Sequence, residues 1–83
     1  MGSQAVFVGI DVGKAQLDVA CSDAEEVWTL GNDEEGIQEL VVRLKEVAPE
    51  LVVMEATGGF EFPAAAAIAA ADIPVVIANP RHC

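Results

Sequence analysis

Two carboxylates stand at matching places in this 83-residue sequence. Asp11 ends the apolar run AVFVGID (residues 5–11), and Glu55 ends the apolar run LVVME (residues 51–55). Short runs of β-branched and apolar residues have the pattern of strands buried on both faces. Open α/β sheets bind their ligands just outside the carboxyl ends of parallel strands. If these two strands are neighbours, their ends lie about 4.8 Å apart. Carboxylates that close repel each other and resist desolvation. A divalent cation relieves both problems, and two-metal sites with ions roughly 3.5–4 Å apart stabilise the attacking and leaving oxygens of phosphoryl transfer. Mg²⁺ suits such a place, because it takes few protein carboxylates and keeps several waters. Each residue also has a plainer reading: Asp11 starts a hairpin turn, and Glu55 caps a helix or faces solvent. Their matched positions favour a shared site.

The rest of the chain has to bring those strand ends together. After residues 5–11, Gly13 supplies a turn. Residues 17–22 alternate, with Leu17, Val19 and Cys21 on one face and Asp18, Ala20 and Ser22 on the other, which predicts a half-buried hairpin partner. Residues 27–30 predict a third, shorter strand. Asn32 is the expected N-cap of a helix, with Glu35 completing a capping-box pattern and an acidic first turn suiting the helix dipole. Ile37, Leu40, Val41, Leu44 and Ala48 share one helical face, and Pro49 stops the helix. Residues 51–54 predict a buried strand and Thr57-Gly58-Gly59 a turn. Residues 60–71 predict a helix, with Pro63 tolerated near its first turn and an alanine-rich face able to lie close to the sheet. Residues 75–78 predict a last buried strand, closed by Asn79-Pro80. The order is β-β-β-α-β-α-β, an antiparallel meander followed by parallel crossovers. It implies a three-layer α/β fold with a mixed five-stranded sheet.

Size allows one small domain over residues 1–83, with residues 1–4 set aside as a tag remnant or disordered start. More than half of the chain is apolar, enough for a core, yet no run approaches the ~18 residues of a membrane span. No basic segment followed by an apolar stretch opens the chain, so the expected location is cytoplasmic, without a membrane partner. Cys21 and Cys83 have neither metal-knuckle nor redox spacing and read as reduced thiols. Fourteen acidic residues face four basic ones, a net charge of -10. Phosphate contacts need clustered Lys and Arg, so this stretch by itself is not expected to grip nucleic acid.

The blocks Gly9-Ile10-Asp11-Val12-Gly13-Lys14, Leu17-Asp18-Val19, Met54-Glu55-Ala56-Thr57-Gly58-Gly59-Phe60 and VIANPR (residues 76–81), with the spacing between them, resemble the N-terminal domain of IS110-family transposases. GIDVG alone is a weak signal, whereas the four blocks together are fairly specific and span residues 8–81. The resemblance implies a RuvC-like, ribonuclease-H-type fold and an Asp-Glu-Asp-Asp set binding divalent metal. Asp11 matches its first member and Glu55 its second, which makes them the candidate catalytic and metal-binding residues, with weakly held Mg²⁺ or Mn²⁺ as cofactor. The third and fourth members are implied to lie in a helix beyond the segment matching Asn79-Pro80-Arg81. A C-terminal transposase domain with a cleavage serine is implied too, as is a structured RNA guide in some members. The expectation is therefore an N-terminal piece of a DNA transposase that cuts and joins strands at a mobile element's ends, inactive by itself. DNA, through the longer protein, is the expected partner, with guide RNA as a further one. Losing a covering helix would expose an apolar sheet face, so self-association is also expected.

Other residues carry plainer readings. Lys14 is a turn lysine that is more simply solvated than phosphate-bound. Asp18 fits the family pattern but reads as a solvated residue on the outer strand face. Thr57, Gly58 and Gly59 offer backbone N–H groups at a helix start, though a simple turn with Thr57 as N-cap explains them. His82 is given no role, and Trp28 and Phe60 read as core or interface. The rival function is an actin-like ATPase or sugar kinase, which also opens with an acidic turn after a buried strand. It requires a second Gly-rich phosphate loop and an adenosine motif, neither of which this sequence contains.

Overall fold

The computed structural model describes residues 5–23, 27–55 and 58–78. Seven elements follow in the expected order: β1 (Phe7–Val12), β2 (Gln16–Cys21), β3 (Val27–Gly31), α1 (Glu34–Val47), β4 (Leu51–Glu55), α2 (Phe62–Ala70) and β5 (Val75–Ala78). The strands form one mixed sheet in the order β3-β2-β1-β4-β5. β1, β2 and β3 pair antiparallel, whereas β1–β4 and β4–β5 pair parallel. Gly13 N–H donates to the Gln16 carbonyl (2.8 Å), closing the tight β1–β2 connection. That turn sets the register Ile10↔Val19 and Asp11↔Asp18. No helix among the described residues is long and apolar enough to cross a membrane.

The core lies on one side of the sheet. Val8, Ile10 and Val12 of β1, Leu17, Val19 and Cys21 of β2, and Val52 and Met54 of β4 are buried together with Ile37, Leu40 and Leu44 of α1 and Ala64 and Ile68 of α2. The expectation that the first and fourth strands are buried on both faces is corrected. β1 alternates buried and exposed residues throughout, and β4 buries only its even-numbered positions. Both helices contribute to the same cluster, so the described residues supply the sheet and one helical layer of a three-layer fold. β5 is likewise not a buried strand. It hydrogen-bonds β4 alone, at the sheet edge, and Val76 and Ile77 are exposed. Apolar composition marked these segments as strands but could not tell how many of their faces would be covered.

The start of α1 also differs. Asp33, not Asn32, is the N-cap: its Oδ1 accepts from Gly36 N–H at 2.8 Å. A carboxylate at this place complements the helix dipole as well as capping an orphan donor. Asn32 is occupied elsewhere, as described below. Its C-cap, Ala48, adopts a left-handed conformation (φ 53°) and donates its N–H to the Leu44 carbonyl, with Pro49 following. On the outer surface, Arg43 pairs with Glu39 (2.9 Å) and lies 4.9 Å over the ring of half-buried Trp28, tying α1 to β3. α2 begins later than expected, because Gly58 (φ 77°) and Gly59 (φ 116°) turn the chain before it. Gly59 N–H donates to the buried Glu61 side chain at 3.1 Å. The Thr57 cap, the Asn79-Pro80 stop, His82, Cys83 and residues 1–4 lie outside the described residues.

Cys21 is a free thiol on the core face. Burial, assisted by the negative charge of Asp23, pushes its pKa up. It therefore stays protonated and unreactive at neutral pH, in keeping with the reduced-thiol reading.

One contact sets the angle at which α1 leaves β3. A Cβ added at Gly36 would overlap the Gly31 carbonyl oxygen and come within 2.6 Å of the Gly31 carbonyl carbon. Gly36→Ala should therefore lower the unfolding free energy by about 1–3 kcal/mol, against alanine's helix advantage of ~1 kcal/mol. Ala48→Gly should instead raise it, by at most about 1 kcal/mol, because left-handed backbone strains alanine. Urea unfolding of both variants checks the pair. A Gly36→Ala protein as stable as the parent would mean that the two glycines do not touch.

Candidate functional site

Strand parity decides what the uncovered sheet face displays. With Ile10 and Met54 pointing into the core, Asp11 and Glu55 must point away from it. β1 and β4 are parallel neighbours paired through Ile10↔Met54, so the next residues on each strand are the two carboxylates. Both are exposed. They line one open depression of about 450 Å³ on the sheet, together with Gly9, Asp18, Ala20 and Val53. Asp11 and Glu55 therefore stand on adjacent strands, at their carboxyl ends and on a common face.

Asp18 lies closer to the pair than its sequence alone indicates. It faces away from Leu17 and Val19, as expected, but that face is the one carrying Asp11. Asp11↔Asp18 is a direct cross-strand pair. Asp18 is half-buried and accepts hydrogen bonds from Thr29 Oγ1 (2.8 Å) and, more weakly, from Gln16 Nε2 (3.4 Å). The signal was available in the sequence. A two-residue connection after Gly13 fixes the hairpin register, and register converts parity into partnership. Lys14 is exposed in that connection and has no ion pair among the described residues. Phe60 is exposed and Trp28 half-buried.

The donor set suits a hard cation. Asp11 and Glu55 offer carboxylate oxygens from adjacent strand ends, the ligand type that Mg²⁺ and Mn²⁺ prefer. Two such ligands leave room for waters or further oxygens. Among the described residues, no group of three or more His, Cys, Asp or Glu side chains is disposed to hold a metal ion. Asp18, held by Thr29 and Gln16, thus adds negative charge beside the pair rather than completing a cage.

Comparison with known proteins agrees with this arrangement. Residues 8–83 match the profile of the IS110 transposases of DEDD type. The chain belongs to this transposase family. The fold of the transposase domain is similar to that of RuvC from Thermus thermophilus in complex with a Holliday junction substrate, with a TM-score of 0.66 and 19% sequence identity over 93% of this chain. A second T. thermophilus RuvC structure gives a TM-score of 0.56 and 21% identity over 90% of the chain. The domain spans 66% and 62% of the lengths of those two chains. No curated protein sequence matches significantly. The ribonuclease-H-like fold class, with its mixed five-stranded sheet and β-β-β-α-β-α-β order, is thereby established. The family match also favours the recombinase reading over the actin-like one.

Like charges placed directly opposite each other on antiparallel strands are destabilising. Asp18→Asn should therefore stabilise the domain at low ionic strength without divalent cation, by roughly 0.2–0.5 kcal/mol given solvent screening. The asparagine oxygen can still accept from Thr29. In about 1 M NaCl, where the Debye length is ~3 Å, the gain should vanish. Urea unfolding at both salt concentrations checks this. No gain at low salt would mean that Asp11 and Asp18 do not sense each other's charge.

Proposed function

We propose that this domain supplies the first half of a divalent-metal site in a DNA transposase, with Asp11 and Glu55 as its ligands. The observation carrying the proposal is the pairing of two outward-facing carboxylates at the ends of adjacent parallel strands, in a chain of a transposase family. Bound there, Mg²⁺ or Mn²⁺ would neutralise charge on the attacking and leaving oxygens of a phosphodiester as a strand is cut or joined. Asp11 and Glu55 provide the oxygens that hold the ion and fix its place on the sheet. Asp18 raises the local negative potential that draws a cation in. Gly9 and Ala20, with little or no side chain, keep the surface around the pair low and open to a bulky substrate.

The same chemistry bounds what the domain does alone. Two carboxylates hold Mg²⁺ weakly, since the ion favours near-octahedral oxygen coordination. With a net charge of -10, the surface repels phosphate. The domain alone is therefore proposed to be inactive, with the remaining metal ligands and the cationic surface for DNA supplied by the longer protein. The RuvC of similar fold is itself bound to a Holliday junction, which supports DNA as the polymer addressed. A guide RNA and self-association through the uncovered face remain proposals drawn from the family resemblance and from exposed Phe7 and Val76.

Titrating Mn²⁺ into the isotope-labelled chain tests the reading. Paramagnetic broadening should centre on the amides around Asp11 and Glu55 and disappear in Asp11→Asn. Broadening spread evenly over the acidic surface, or unchanged by the substitution, would reject the pair as a metal site.

A further inference from the structure

Asn32 lies in none of the strands or helices, yet it joins three of the segments around the site. Its backbone N–H donates to the Ala15 carbonyl at 3.0 Å. Its side-chain Nδ2 donates to the Gly13 carbonyl at 2.8 Å and to the Phe60 carbonyl at 3.1 Å. Gly13 belongs to the loop leaving β1 just after Asp11, and Phe60 to the loop leaving β4 after Glu55. One amide group therefore clamps the two chain segments that emerge from the two carboxylate-bearing strand ends. Sheet hydrogen bonds join those strands through Ile10↔Met54. Beyond that point, among the described residues, Asn32 bridges the Gly13 and Phe60 carbonyls.

The orientation of this amide is constrained by chemistry. Both neighbours are carbonyl oxygens, and only the NH₂ end can donate to two acceptors at once. Turned over, Oδ1 would face two oxygens. In the orientation found, Oδ1 is buried without a hydrogen-bond partner among the described residues. Buried acceptors are rarely left so, and here the unpaired oxygen accompanies the double donation. The residue's backbone is also held from both sides. Gly31 before it packs against Gly36 of α1, and Asp33 after it takes over the capping role, leaving the Asn32 amide free for the loops.

We propose that Asn32 is a positioning residue for the Asp11–Glu55 pair: by holding the Gly13 and Phe60 carbonyls together, it sets the approach of the two carboxylates and so their joint affinity for a divalent cation. This rests on the metal-site reading given above. Groups bonded directly to metal ligands change affinity without touching the ion, and Asn32 acts one step further back, through the backbone that follows each ligand. Alanine at this position leaves both carboxylates in place but frees the loops behind them. Serine keeps one donor, enough for one carbonyl.

The test is a Mn²⁺ titration of the whole labelled chain, read at the amides of Gly9 and Val53, for the parent, Asn32→Ala, Asn32→Ser, Asp11→Asn and Ile68→Val. The last variant trims the core without removing either clamped bond, and reports any effect of lowered stability alone. The expected result is a dissociation constant raised about threefold or more in Asn32→Ala, below the ~10–100-fold seen when a partner bonded directly to a ligand is lost, with Asn32→Ser between it and the parent and Ile68→Val close to the parent. Should Asn32→Ala not fold, the comparison of Asn32→Ser with Ile68→Val carries the test. Parent-like binding in the Asn32 variants, with binding lost in Asp11→Asn, would overturn the positioning role and leave the metal site standing. Equal weakening in Ile68→Val would overturn it as well, by assigning the effect to stability. Parent-like binding in Asp11→Asn would remove the metal site and the positioning role together.

Discussion

The parallel pairing of β1 with β4 is the constraint on which the rest depends. Antiparallel neighbours would have put Asp11 and Glu55 at opposite ends of the sheet. A parallel pair demands a long crossover, and here the crossover comprises β2, β3 and α1. Once that is built, strand periodicity leaves no freedom. Val8 pairs with Val52 and Ile10 with Met54, all four buried, so the alternate residues face outward as a set. The core therefore positions the carboxylates indirectly. A one-residue slip of β4 would bury Glu55 and expose Met54, and the core does not tolerate that exchange.

Much of this was legible before any coordinates. Element order and strand ends followed from apolar runs broken by Gly and Pro, and the two carboxylates stood out because each closed such a run. Which strand face each helix would cover was not legible. AVFVGID reads as a strand buried twice, yet Phe7 is exposed and Gly9 faces outward beside Asp11. Which face is covered is a property of helix placement, and α1 and α2 both went to the same side. The helix start was misjudged for a different reason. Asn32 and Asp33 are both good caps in isolation, and the choice between them was made by two carbonyls distant in sequence, at Gly13 and Phe60. The face of Asp18 was legible from its alternation with Leu17 and Val19, whereas its pairing with Asp11 needed the hairpin register as well.

Charge and family membership pull in opposite directions, and the resolution is a division of labour. A net charge of -10 is a poor starting point for holding a polyanion. It is a good one for collecting divalent cations at a place where the sheet already concentrates carboxylates. Asp11 and Asp18 face each other across strands in a fold with no basic residue paired to either among the described residues. Such juxtaposition opposes folding unless a cation repays it. On the proposed reading the repulsion serves function: at low ionic strength a bound ion relieves it, so apo stability is lowered in exchange for affinity. On that reading grip on DNA comes from a differently charged surface, and the sheet face carrying Asp11 and Glu55 is left open toward it.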